Sequence, residues 1–201
     1  MYHARVVLRR TAVSVLACCA LGCASMPALE VPTERLYRLP FAAGSAHLVI
    51  QTGPVPFVHW GRLRHAVDVA MPVGTSVLAA RAGRVISLRS HGRRYGIFKG
   101  FAKHGNYVRI DHGDGTHGRY LHLRTDGVAV AEGDRVAQGQ LLGWSGDTGR
   151  SMLPHLHFDV MRRSAQHGGG WRTIPVAFDE VPGDGRPRVL RRYLSANRGG
   201  R

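Results

Sequence analysis

Between Gln51 and Met161 short apolar runs alternate with glycine-rich turns, and in several runs the apolar residues recur at every second position. A period of two is the spacing of one face of a β-strand, and turns at such short intervals leave little room for helices. The runs 46–50, 66–70, 76–80, 84–88, 107–111, 118–123, 140–144 and 155–161 are read as strands, with 171–178 as a late one. No long stretch carries a helical apolar period, and there is no internal repeat or coiled coil. The expected fold class is therefore mostly β. Residues 90–105, basic and glycine-rich, are read as a loop. The tail from Gly185 onward carries six arginines and is expected to fray.

A chain of 201 residues with 44% apolar and 20% charged residues can bury a real core and fits one domain with extensions. Its divisions are expected to be an export signal at 1–24, a lead-in at 25–50, the main domain at 51–161, and a late strand with a basic tail at 162–201. Arg5, Arg9 and Arg10 precede an uncharged, apolar or small stretch from Thr11 to Ala24, too short to span a bilayer comfortably. All three cysteines, Cys18, Cys19 and Cys23, lie there, so cleavage of the signal leaves no core disulfide. Ala20-Leu21-Gly22-Cys23 and Val15-Leu16-Ala17-Cys18 loosely resemble lipoprotein cleavage boxes, which leaves lipidation at Cys23 or Cys18 open beside ordinary cleavage near Ala24. The chain is thus expected to be exported to the periplasm or cell envelope. A net charge of +15, nearly all arginine, favours an anionic partner such as an acidic wall polymer or a membrane surface. Nucleic acid is not expected, because no aromatic-and-basic sheet motif accompanies the charge and the export signal argues against it.

Within the strands, a few polar residues need a reason. His155 and His157 are two apart, so on a strand both imidazoles project to one face while Leu156 and Phe158 point to the other. Two surface histidines on a polar face would look the same. His122, between Leu121 and Leu123, belongs to the polar or cleft face of another strand, with both leucines expected on the opposite side. Asp68 lies inside the apolar run Ala66 to Ala70, where a carboxylate is costly unless paired or bound to a metal. His59 and His65 stand upstream. Imidazoles with one carboxylate, and no cysteine, suit a catalytic zinc ion with an open coordination position.

The order of motifs is more specific than any of them alone. Leu153-Pro154-His155-Leu156-His157-Phe158-Asp159-Val160 resembles a GPHLHFE signature, and Tyr120-Leu121-His122-Leu123 a Y-x-H-L motif. Gly133 to Gly143 matches a GD-x-V-x-x-GQ-x-x-G turn, Ser145 to Ser151 an SGNTGxS loop, and Asp68 to Ala80 a D-x-A-x-P-x-GT-x-V-x-A segment. Over roughly 57–161 the chain resembles the lysostaphin/LytM-type peptidases. That resemblance implies an antiparallel β-sheet related to hybrid-motif barrels, an open groove over one zinc ion, and cleavage of peptide cross-links in bacterial peptidoglycan. Extended stem peptides of peptidoglycan are the implied partner, with residues 90–105 as one wall of the groove. It implies Asp68 and His157 as zinc ligands and His122 and His155 as catalytic histidines.

The first ligand departs from the common H-x-x-x-D spacing, which would fall on Arg64. Val58-His59-Trp60-Gly61 followed by His65-Ala66-Val67-Asp68-Val69 fits a variant with a longer excursion and favours His59 over His65. Strand parity agrees: His65 and Asp68 are an odd number apart and would face opposite sides of one continuous strand. His112, in a segment resembling the family's hairpin turn, is read as a turn residue with at most a supporting role. His47, His91, His104, His117 and His167 are read as solvated loop residues. Two rivals remain: a non-catalytic wall-binding or amidase-activating relative, and a lipoyl-type carrier. Intact site residues disfavour the first, and Lys99 and Lys103, the only lysines and not on a hairpin tip, disfavour the second.

Overall fold

The alternation that marks the strands in the sequence is the alternation between core and groove. In the computed structural model, which describes residues 37–53, 59–165 and 168–198, the strands are β1 (Ala46–Thr52), β2 (Val67–Ala70), β3 (Ser76–Leu78), β4 (Gly83–Arg89), β5 (Tyr95–Gly96), β6 (Asn106–Asp111), β7 (Thr116–Val128), β8 (Arg135–Val136), β9 (Leu141–Ser145), β10 (Gly149–Arg150), β11 (His155–Ser164), β12 (Gly170–Ile174) and β13 (Arg192–Leu194). The segment 1–24, read as an export signal, lies outside the described residues. No helix among the described residues is long and apolar enough to cross a membrane.

One sheet runs in the order β13-β1-β2-β11-β7-β6-β4-β8, with β12 paired to β11 and β9 to both β7 and β3. All of these pairings are antiparallel; β5 and β10 form a separate parallel pair. β11 is the hub. Its first half, His155 to Phe158, pairs with β2, its second half with β12, and its other edge with β7. Val67, Val69, Val108, Ile110, Tyr120, Leu156, Phe158 and Val160 are buried on the core face. Asp68, Arg109, Arg119, His155, His157 and Asp159 occupy the alternate positions. The chemistry thus lies on one face of a sheet whose other face is a packed core.

Tyr120 is fully buried, and its hydroxyl accepts a hydrogen bond from the Ala80 amide at 2.8 Å. Removing that acceptor strands a buried N–H group. A Tyr120→Phe chain is expected to lose about 1–3 kcal/mol in a denaturant titration.

Three expectations are corrected. Residues 90–105 are not all loop: Tyr95–Gly96 is the short strand β5, and Lys99–His104 forms a 3-10 turn. β5 is a two-residue strand that exists only because β10 lies beside it, which local sequence does not encode. The described part of the tail, through residue 198, is packed rather than frayed. Arg192–Leu194 pairs with β1, the Ser195 hydroxyl donates to the Phe41 carbonyl at 2.6 Å, and the Asn197 amide donates to the Leu39 carbonyl at 3.0 Å. Backbone pairing at a sheet edge tolerates arginines whose side chains point to water, so their number is no guide to order. The late strand stops at Ile174 rather than Phe178, because Pro175 has no N–H to donate.

Candidate active site

The sheet brings five of the singled-out side chains together at the floor of an open groove of about 740 Å³: His59, Asp68, His122, His155 and His157. Asp68 on β2 is directly across from His157 on β11. His59 approaches from outside the sheet: a 3-10 turn at Gly61–Leu63, with Gly61 at φ +58, lies between it and β2. Ligand atoms of His59, Asp68 and His157 all lie within 4.8 Å of one another, and the three residues are buried.

His65 is elsewhere. It precedes β2 in a turn, its backbone N–H donates to the Thr173 hydroxyl, and it lines a separate recess. His112 donates through Nδ1 to the Ala82 carbonyl and packs edge-on against Tyr37, outside the groove. Two histidines expected in loops lie on strands instead: His47 on β1, and His117 on β7, stacked on Trp171 with ring centroids 4.1 Å apart.

Hydrogen bonds settle which nitrogen each histidine presents. A carbonyl only accepts, so Nδ1 of His122 carries a proton toward the Thr148 carbonyl at 2.8 Å, and Nδ1 of His155 toward the Leu153 carbonyl at 2.8 Å. Both keep Nε2 for the groove, and their ring centroids are 4.5 Å apart. His157 is turned the other way: Nε2 donates to Asp159 at 3.0 Å, leaving Nδ1, 2.8 Å from Asp68. Asp159 is itself gripped by Arg119 through two bonds of 2.8 and 2.6 Å.

Charge balance follows from this packing. Burial would raise the Asp68 carboxyl, but the charge of His157 and contacts with His157 and His59 outweigh it and hold it well below the usual carboxylate range. Burial would likewise raise Asp159, yet His157 and Arg119 hold it at about 2. Burial, then the neighbouring His155 and His157, pull His122 down to about 3, so it is neutral at ordinary pH. Burial also lowers His155. Burial would lower His157, but the Asp68 charge and its bonds to Asp159 and Asp68 raise it to about 9. Before a metal displaces its proton, the floor thus offers a carboxylate, the His157 imidazolium and two neutral imidazoles.

The ligand atoms fit a metal ion. Neither ring nitrogen of His59 nor Oδ1 of Asp68 makes a hydrogen bond, although all are buried, and Asp68 Oδ2 is 3.1 Å from His59 Nε2. Buried polar atoms without partners are costly unless something else satisfies them, and two nitrogens with one oxygen are a donor set that zinc accepts.

One placement differs from expectation. Leu121 lines the groove beside His122 rather than facing the core, while Leu123 is buried. His122 has φ +66, and the β6–β7 register slips there: Tyr107 pairs with Leu121 but Asn106 with Leu123. This β-bulge turns His122 into the groove. Thr148, whose carbonyl holds His122, precedes Gly149 (φ +86), where a Cβ would sit 2.6 Å from the Gly105 Cα. Sequence reading also missed Asp159 and Arg119. The signal was present, since residues 155, 157 and 159 share one strand face.

Comparison with known proteins gives a consistent picture. The model for peptidase family M23 matches residues 62–169. The chain is 37% identical over 113 residues to the peptidoglycan DD-endopeptidase ShyA of Vibrio cholerae, covering 56% of this chain and 24% of that protein. It is 40% identical over 124 residues to the glycyl-glycine endopeptidase ALE-1 of Staphylococcus capitis, covering 61% and 31%. Among solved structures, the catalytic domain of lysostaphin from Staphylococcus simulans superposes with a TM-score of 0.45 at 26% identity, covering 65% of this chain and 87% of that one. The chain therefore spans about a quarter to a third of the length of these two curated relatives.

Proposed function

Because this chain belongs to peptidase family M23, we propose that it is a zinc-dependent endopeptidase that cuts peptide cross-links in bacterial peptidoglycan. The observation that carries the proposal is the convergence of His59, Asp68 and His157 at the floor of an open groove, with the Nε2 atoms of His122 and His155 beside them. Relatives named as a peptidoglycan DD-endopeptidase and a glycyl-glycine endopeptidase support the choice of substrate.

In this reading His59, Asp68 and His157 hold one zinc ion. Zinc, when bound, supplies a Lewis acid that makes water nucleophilic near neutral pH. Asp159 accepts from His157 Nε2 and fixes the ring so that Nδ1 is the atom that would hold a metal, and Arg119 fixes Asp159. A stem peptide lies extended along the groove, between the wall formed by Ile97, Ala102 and Gly105 and the wall formed by Arg62 and Leu63. His122 and His155 are neutral and face the reacting centre. Between them they accept the proton of the attacking water and return one to the leaving amine. Basic residues in 90–105 favour an anionic wall component. Export to the envelope through the 1–24 segment, with or without lipidation at Cys18 or Cys23, completes the proposal.

The direct test is metal content measured together with digestion of purified peptidoglycan. About one zinc per chain, with cross-linked muropeptides converted to monomers, is the expected result; metal-free, inactive protein from a zinc-supplemented preparation would refute the reading. A finer test separates the two upstream histidines. His59→Ala is expected to lose zinc on dialysis, and His65→Ala to retain it. Full zinc retention by the His59 variant would remove that residue from the ligand set.

A further inference from the structure

A second recess, of about 270 Å³, lies behind the groove wall and shares no lining residue with the groove. It is formed where the 3-10 turn meets the β11–β12 hairpin. Among the described residues its charged lining is Arg64, Arg162, Arg163 and Arg172, with His65 beside them and no carboxylate. Arg162 and Arg172 are directly opposite one another across β11 and β12. Like charges in that position destabilise a sheet. None of the four makes an ion pair among the described residues, although Arg163 also covers the Trp171 ring at 5.5 Å. Burial first, then the positive charges of Arg64 and Arg186, depress His65, so the cationic field extends past the four lining arginines. Arg186 itself has buried Nε and Nη2 atoms without a hydrogen-bond partner.

Guanidinium groups present paired N–H donors that match tetrahedral oxyanions, and several of them around one recess suit a multiply charged group better than a carboxylate. We propose that the recess between Arg64, Arg162 and Arg172 is a binding site for a phosphate group, separate from the cleavage site. It rests on the wall-enzyme reading only for its biological setting, since phosphate binding and peptide cleavage are measured independently. A phosphate so bound sits against the turn that leads from His59 into β2. It would secure an enzyme of the envelope to a phosphate-bearing polymer or headgroup while leaving the groove open.

The experiment is thermal unfolding and calorimetric titration of the full chain with inorganic phosphate and pyrophosphate, against acetate at matched ionic strength. Both phosphates are expected to raise the unfolding midpoint and acetate is not. The double variant Arg162→Ser/Arg172→Ser is expected to bind pyrophosphate at least about tenfold more weakly. It should unfold no earlier than the parent without phosphate, because a repulsive pair has been removed. Arg188→Ser/Arg191→Ser, which removes equal charge elsewhere, keeps the effect. Arg172→Lys, which keeps the charge but loses the fork, falls between. Retained zinc and cleavage of a soluble peptide show that each variant is folded. An equal response to acetate overturns the proposal, as does a phosphate response that survives in the double variant, which would place the anion elsewhere, the metal centre included. A lower midpoint for the phosphate-free double variant would mark these arginines as structural and count against it too. Where the proposal holds, competition by glycerol-phosphate oligomers identifies a polymer as the source, and arginine-dependent binding to phosphatidylglycerol vesicles identifies a headgroup.

Discussion

Asp68→Ala is expected to give a folded chain that neither retains zinc nor releases cross-linked peptides. Asp68 is the only carboxylate among the described residues lining the groove, so no neighbour can replace its oxygen. It also supplies the negative charge between His59 and His157, at 3.1 and 2.8 Å. Residues that merely support a ligand typically change metal affinity by about 10–100-fold, and loss of the ligand itself should exceed that. Fold loss is a separate matter, because the flanking Val67 and Val69 remain buried in the core. A chelator distinguishes the two. If the parent chain holds zinc as proposed, a chelator should lower its unfolding midpoint and leave that of Asp68→Ala unchanged. A variant that still shifts with chelator would place the metal elsewhere.

Substituting either His122 or His155 should leave the metal in place and remove most of the turnover. Proton transfer by a positioned imidazole is worth about 10²–10⁴-fold, and His155→Ala is expected to fall in that range with unchanged zinc content. At His122 the design needs care. Its backbone is left-handed at φ +66, a region that alanine resists and asparagine tolerates. His122→Asn therefore keeps the bulge while removing the imidazole. Equal losses in His122→Asn and His122→Ala would assign the effect to chemistry. A near-normal His122→Asn would instead show that this position matters for backbone shape. Loss of zinc from the His155 variant would move His155 into the ligand set.

Short apolar runs between glycine-rich turns, several of them with a period of two, placed eight of these strands to within a few residues, because a sheet with one face in a core and the other lining a groove writes its geometry into residue parity. His155 and His157 share a face for that reason, with Leu156 and Phe158 in the core. Parity also spoke against His65, but it could not show that a turn at Gly61–Leu63 brings His59 to Asp68, which depends on chain reversal outside the sheet. The bulge at His122 was hidden for a related reason: a register slip reflects pairing with β6, not the residues of β7 alone. Asp159 was overlooked although it continues the H-x-H parity. Its role becomes visible only when Arg119 is found opposite it. The ordered tail was misread because charge was taken as a guide to disorder, whereas Ser195 and Asn197 hold it through backbone carbonyls of residues more than a hundred positions earlier.

That tail has a consequence in time. β13 closes the edge of β1, β1 carries β2, and β2 carries Asp68. During synthesis the chain grows from its N-terminal end, so the strand bearing Asp68 is made long before the strand that braces its neighbour. A nascent chain that has not yet reached Ser195 lacks the hydroxyl that holds the Phe41 carbonyl, and one short of Asn197 lacks the amide that ties Leu39 to Ala79. Contacts this distant in sequence are slow to close. The order of translation thus delays completion of the groove floor until nearly the whole of the described chain has been made, a built-in lag between making the polypeptide and having the assembled site.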